Sequence, residues 1–184
     1  MRKLIAVMNM TLDGFCDHTL GVVDEDTHQH YADLLNSGET ILYGRKTYEL
    51  MAEYWPTVVN EPTGDKATDN FAIAIDKIQK VVFSNTLKTL DWGTASLATK
   101  SPEEETKVLK NMTGGDIQVG SPSLIIQLLN AGLVDELQIA IHPIIAGKGL
   151  SLFEKIRERI DLELLRTKNF NCGVVAFYYR PSIR

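Results

Sequence analysis

The chain has 184 residues, 44% of them apolar and 23% charged, with a net charge of −5. A chain of this length can bury about 70% of its unfolded surface, and the composition is that of an ordinary globular protein. The negative balance argues against general binding to nucleic acid or to an anionic membrane, so any phosphate recognition must be local.

The chain opens on Met1-Arg2-Lys3 and the apolar run Leu4-Ile5-Ala6-Val7-Met8. That run is shorter than a signal-peptide core, and no segment approaches the roughly 18–20 apolar residues of a membrane span. A cytoplasmic location is expected, and the run reads as a first strand buried on both faces. Thr11-Leu12-Asp13-Gly14-Phe15 follows as a turn. Residues 26–36 read as a helix with Tyr31, Leu34 and Leu35 on its apolar face, ended by Ser37-Gly38. Thr40 to Tyr43 is a second strand and residues 46–53 the helix after it. Residues 55–70, with Pro56, Pro62 and Gly64, read as the longest irregular stretch and a candidate substrate-facing loop.

Lys80 to Ser84 is a third strand. Ser101-Pro102-Glu103-Glu104 starts a helix, with serine as N-cap, proline at the first helical position and acids in the first turn. It ends at Thr113-Gly114-Gly115; Asp116 to Val119 is a strand, and Ser121 to Ala131 a helix stopped by Gly132. Leu133 to Ile145 is strand-rich, and residues 160–169 and 173–180 form a closing pair around Asn171-Cys172-Gly173. The order predicts one domain, 1–184, of class α/β: a mainly parallel sheet with helices on both faces and antiparallel C-terminal strands.

Two strand-to-helix turns carry the functional signal. In the first, Ile41-Leu42-Tyr43 runs into Gly44-Arg45-Lys46-Thr47; in the second, Ile117-Gln118-Val119 runs into Gly120-Ser121-Pro122-Ser123-Leu124. Free N–H groups and the positive end of a helix dipole make such starts anion sites, and glycine permits close approach. Taken alone, the second turn reads first as an ordinary, well-capped helix start, with Ser121 as N-cap and Pro122 at the first helical position. Arg45 and Lys46 oppose the dipole of the helix they open; a bound phosphate would explain them, and solvated side chains are the alternative. Ser84-Asn85 ends the third strand on the same edge, where open α/β sheets bind ligands.

Other motifs fail. No G-x-G-x-x-G follows a strand, and Gly115 to Gly120 lacks the Lys-Ser/Thr of a P-loop. His28 and His30 stand about 200° apart on a helix and share no metal there. Cys16 and Cys172 have no metal or redox spacing and read as two thiols. Ser123, Asp135 and His142 lack a nucleophile elbow.

These residues resemble a known superfamily. Gly44-Arg45-Lys46-Thr47-Tyr48-Glu49 is similar to the G-R-x-T-x-E segment of dihydrofolate reductases, and Val82-Phe83-Ser84-Asn85-Thr86-Leu87 to the strand and turn that follow it. Residues 133–153, from Leu133-Val134-Asp135-Glu136-Leu137 through Pro143 and Gly147-Lys148-Gly149 to Phe153, resemble the riboflavin-biosynthesis reductase domain. Thr11-Leu12-Asp13-Gly14 resembles the S-L-D-G of the same family. The likeness spans nearly the whole chain in the right order.

The resemblance implies a three-layer α/β/α sandwich of dihydrofolate reductase-like type, with NADPH as hydride donor. It places Gly44, Arg45, Lys46 and Thr47 at the cofactor phosphates, with Arg45 and Lys46 near the 2′-phosphate. Ser84 and Asn85 flank the adenosine side, Gly120, Ser121, Pro122, Ser123 and Leu124 hold the pyrophosphate, and Asp13 and Gly14 lie by the nicotinamide. The family's proton-donor position falls on His28, which can act as an acid near neutral pH, with Asp26 either a second candidate or a helix N-cap. Gly120-Ser121 departs from a Gly-Gly pair, no arginine lies between Arg45 and Arg157, and no Pro-Trp follows residue 14; these argue against folate. Deaminase zinc motifs are absent. The expectation is an NADPH-dependent reductase of a small heteroaromatic or carbonyl substrate, acting as a homodimer. The alternative is a non-catalytic NADPH- or nucleotide-binding sensor or scaffold.

Overall fold

The computed structural model of the protein describes residues 1–16 and 21–182. Among them the elements run β1 (Leu4–Thr11), α1 (Glu25–Ser37), β2 (Gly38–Gly44), α2 (Arg45–Asn60), α3 (Lys66–Lys77), β3 (Gln79–Phe83) and β4 (Ala95–Leu97). They continue with α4 (Pro102–Asn111), β5 (Asp116–Val119), α5 (Pro122–Asn130), β6 (Glu136–His142), β7 (Asp161–Asn169) and β8 (Val175–Ser182). One eight-stranded sheet takes the order β4-β3-β2-β5-β1-β6-β8-β7. Pairing is parallel from β4 to β6 and antiparallel for β6–β8 and β8–β7.

Alternation along the strands divides the core into layers. On β2, Ile41 and Tyr43 face a cluster with Ala32 and Leu35 of α1, Tyr48 of α2 and Ala74 and Ile75 of α3. Leu42, one residue out of phase, faces Leu109 of α4 and Leu124, Ile125 and Leu128 of α5. The two-residue strand period thus serves both helical layers from one strand, giving the mixed α/β/α sandwich expected.

Three local expectations change. The helix expected at 46–53 extends over Arg45–Asn60 and carries Pro56 inside it. Proline removes a backbone donor there, but Trp55 beside it is anchored on Phe71 of α3 at 4.4 Å between ring centroids. The stretch 55–70 is therefore not a long loop. Only residues 61–65 lie between α2 and α3, and the Asp69 carboxylate accepts from Thr63 N–H and Thr63 Oγ1, both at 2.8 Å, and from Gly64 N–H at 3.2 Å. The N-cap of α1 is Asp24 rather than Asp26, accepting from Thr27 N–H at 2.8 Å. The start of α4 matches its expected form, with Ser101 and Glu104 closing a reciprocal capping box.

One buried amine lies at the opposite end of the sheet from the helix starts. Lys80, 1% exposed, donates to Asp76 O, Ile78 O and Thr94 Oγ1 at 3.2, 2.9 and 2.7 Å, and stands over the Trp92 ring. These acceptors satisfy the ammonium without a carboxylate.

Candidate active site

β2 and β5 are neighbours, with Leu42 opposite Val119, so the two turns that follow them lie side by side. They are tied together: Gly44 N–H donates to Ser121 Oγ at 2.8 Å. Ser121 occupies the N-cap position of α5, yet its hydroxyl makes no capping bond; Gly44, the N-cap of α2, has no side chain to make one. Neither helix has an acid in its first turn. Two uncapped helix starts thus open together, a donor set suited to a phosphate or pyrophosphate. A Cβ on Gly44 would stand 3.7 Å from Ser121 Oγ and 3.8 Å from Ser123 Oγ, in the space between the turns. On these donors the site fits an anionic dinucleotide.

Beside this pair a groove of about 720 Å³ is lined by Arg45, Ser84, Asn85, Lys100, Ser101 and Leu124, among others. It brings together residues from both turns with the end of β3. Lys100 and Ser101 are additions to the expected set: Ser101 reads from sequence only as a helix cap, and Lys100 carries no motif. Arg45 is not a free cation. Its Nη1 meets both oxygens of Glu49, at 3.0 and 2.8 Å, one helical turn on. Lys46 is exposed and Thr47 half-buried on the same first turn. Ser84 Oγ accepts from Thr86 N–H at 3.1 Å and Leu87 N–H at 3.0 Å and stands 3.4 Å from Thr86 Oγ1, closing the turn after β3. Pro122 stands at the first position of α5, where its missing N–H leaves no bond unmade.

Asp13 and Gly14 form the turn after β1. The Asp13 carboxylate accepts from Thr11 Oγ1 at 2.6 Å, Ala146 N–H at 3.0 Å and Gly147 N–H at 2.7 Å. These bonds, the Thr11 hydroxyl foremost, lower its pKa to about 2. Asp13 is therefore an ionised anchor that holds residues 144–152 against the turn, and Leu12 N–H to Ile144 O and Cys16 N–H to Leu150 O complete the seam. Gly14 has φ of +89°, a conformation that favours glycine.

His28 faces the helical layer. Its Nδ1 lies 3.1 Å from Thr68 Oγ1 of α3, and its ring packs edge-on to Trp55 and beside Phe71. Burial lowers its pKa, which favours the neutral ring. Cys16 and Cys172 are free thiols, and burial pushes Cys16 up to about 11. Among the described residues no group of three or more His, Cys, Asp or Glu is placed to hold a metal, and no helix is long and apolar enough to cross a membrane.

Comparison with known proteins places this geometry in a family. The RibD C-terminal domain matches residues 2–176. The uncharacterized protein YyaP of Bacillus subtilis is 37% identical over 182 residues, covering 97% of this chain and 94% of YyaP. YwjB of the same organism, also uncharacterized, is 26% identical over 188 residues, covering 97% and 98%. Among solved structures, a putative riboflavin biosynthesis protein from Shewanella sp. PV-4 superposes with a TM-score of 0.72 at 16% identity, covering 98% of this chain and 99% of that one. The diaminohydroxyphosphoribosylaminopyrimidine deaminase/5-amino-6-(5-phosphoribosylamino)uracil reductase of Thermotoga maritima superposes at 0.67 and 16% identity, with 98% of this chain covering 57% of that one.

Proposed function

The chain is a member of the RibD C-terminal domain family, and we propose that it is an NADPH-dependent reductase of a small heteroaromatic or carbonyl substrate, riboflavin-type or pterin-like. The observation that carries this is the pair of uncapped helix starts at Gly44 and Ser121, bonded to each other and opening beside the groove of Arg45, Ser84 and Asn85. When bound, NADPH supplies the hydride. The N–H groups of Ser123 and Leu124 hold the pyrophosphate, with Gly120, Ser121 and Pro122 shaping the approach. Gly44 and Thr47 line the other helix start, and Arg45 and Lys46 meet the 2′-phosphate, Arg45 by exchanging Glu49 for it. Ser84 and Asn85 flank the adenosine.

At the nicotinamide end, Gly14 keeps the turn after β1 close to the cofactor, and Asp13 positions that turn against residues 146–147. With Asp13 held ionised, its part in the reaction is electrostatic and positional. His28 keeps the role of proton source in this reading, through Nε2, which makes no hydrogen bond among the described residues. The RibD C-terminal domain match over residues 2–176 supports a riboflavin-type substrate. The same reading makes the protein a cytoplasmic homodimer that binds neither nucleic acid nor membrane. The lowered pKa of Asp13 also favours a second reading, a nucleotide-binding sensor or scaffold without turnover, because an ionised Asp13 holds no proton to donate.

Thermal shift with NADPH, NADH and flavins tests the assignment. NADPH at about a hundred times its Kd is expected to stabilise the fold by about 2.7 kcal/mol, and the shift is expected to shrink in Arg45→Ala. No shift with any dinucleotide rejects both readings. NADPH oxidation over a substrate panel then separates enzyme from binder.

A further inference from the structure

β1 lies between β5 and β6 in the middle of the sheet. Leu4, Ile5, Ala6, Met10 and Thr11 on it are buried, yet Asn9 is exposed. β1 runs parallel to β5 with Ala6 opposite Val119, so Asn9, further along β1, lies towards the carboxyl edge of the sheet that the two helix starts share. Asn9 nevertheless has a defined setting. Its Oδ1 accepts from the Tyr31 hydroxyl of α1 at 2.6 Å, and His142 Nε2 at the end of β6 stands 3.2 Å from the same oxygen.

The proton positions follow from one backbone group. Val22 N–H donates to His142 Nδ1 at 3.0 Å, so Nδ1 carries a lone pair. A neutral imidazole then bears its proton on Nε2, and His142 is 2% exposed, with burial lowering its pKa. Nε2–H therefore donates, and the atom facing it on Asn9 must be the oxygen. The amide is locked with Oδ1 inward, taking two hydrogen bonds, and Nδ2 outward. Among the described residues Nδ2 donates to none, so both of its N–H bonds are open to solvent.

We propose that Asn9 is a substrate-recognition residue whose Nδ2 donates to a ring carbonyl oxygen of a planar heterocycle, with Tyr31, His142 and the Val22 N–H as positioning groups. The inference deepens the reductase reading and rests on it for the identity of the cleft. A locked donor selects against a ring that presents its own N–H at that point, because two donors then face each other with neither bond made.

The test is a polarity reversal. Asn9→Asp keeps an acceptor for Tyr31 and His142 but replaces the outward donor by an oxygen. Calorimetric titration with lumazine, which offers ring carbonyls, and 2,4-diaminopyrimidine, which offers amino groups, reads the preference with and without saturating NADPH. The wild type is expected to prefer lumazine by about tenfold or more, and Asn9→Asp to reverse that order. His142→Phe removes the orienting donor and is expected to bring the two rings within about twofold, while the NADPH thermal shift is retained. An unchanged preference in Asn9→Asp, or a wild type that binds neither ring, overturns the proposal. A reversal without any NADPH shift leaves Asn9 in its role and removes the reductase reading instead.

Discussion

Arg45 enters any encounter with a ligand already paired to Glu49. Both side chains are about two-fifths exposed, so the pair is weak and exchangeable. Arg45→Ala is expected to weaken NADPH binding about tenfold and NADH binding little, read by fluorescence titration. Glu49→Gln releases the guanidinium and is expected to move NADPH affinity the other way. Asp13 gives a pH signature. Its folded pKa of about 2 lies below the ordinary 3.8, so the carboxylate stabilises the fold fully above pH 3.8 and loses that contribution as pH falls towards 2. The melting temperatures of wild type and Asp13→Asn are expected to differ at neutral pH and to converge across this window. The Arg45–Glu49 spacing is readable as an i,i+4 pair. The three acceptor bonds of Asp13 are not, because two of their donors lie more than 130 residues away.

Two helices begin alike in sequence, each with Ser-Pro, and behave differently. Ser101 closes a box on its own helix, whereas Ser121 reaches across to β2. Ser101→Ala is therefore expected to cost about 1 kcal/mol in urea unfolding. Ser121→Ala is expected to leave α5 helical by circular dichroism but to weaken NADPH binding about tenfold, because the two turns are no longer joined. The local signals for α4 sufficed because every group in its cap lies within four residues. The signals for α3 were also present: Ala67, Ala74 and Ile75 are buried at helical spacing, with Phe71 packed between them. Pro56, Pro62 and Gly64 masked that pattern, since a proline held by tertiary packing looks in sequence like one that breaks a helix.

The sheet as a whole ends on β7, an edge strand whose Leu162, Leu164 and Leu165 are 43, 52 and 37% exposed. An apolar edge of this kind invites pairing with a second copy. The proposed homodimer is therefore expected to dissociate in Leu164→Lys, read by light scattering behind a sizing column; a wild-type monomer would reject it. The layered α/β order was legible because buried parallel strands are continuous apolar runs. The neighbours of each strand were less so. Sequence order says that β5 follows α4, while the space it enters, between β2 and β1, is decided by long-range packing.

That insertion has a kinetic consequence. β1 and β2 are made early in the chain but do not touch; they are bridged only when Asp116–Val119 slides between them. Parallel pairings over such separations form late and slowly. β5 thus joins the two halves of the proposed anion site, and a dinucleotide bound there would act as a latch on that strand. Hydrogen exchange is expected to show NADPH slowing the amides of Ile117, Gln118 and Val119 more than those of β7, although none of the three side chains reaches the groove.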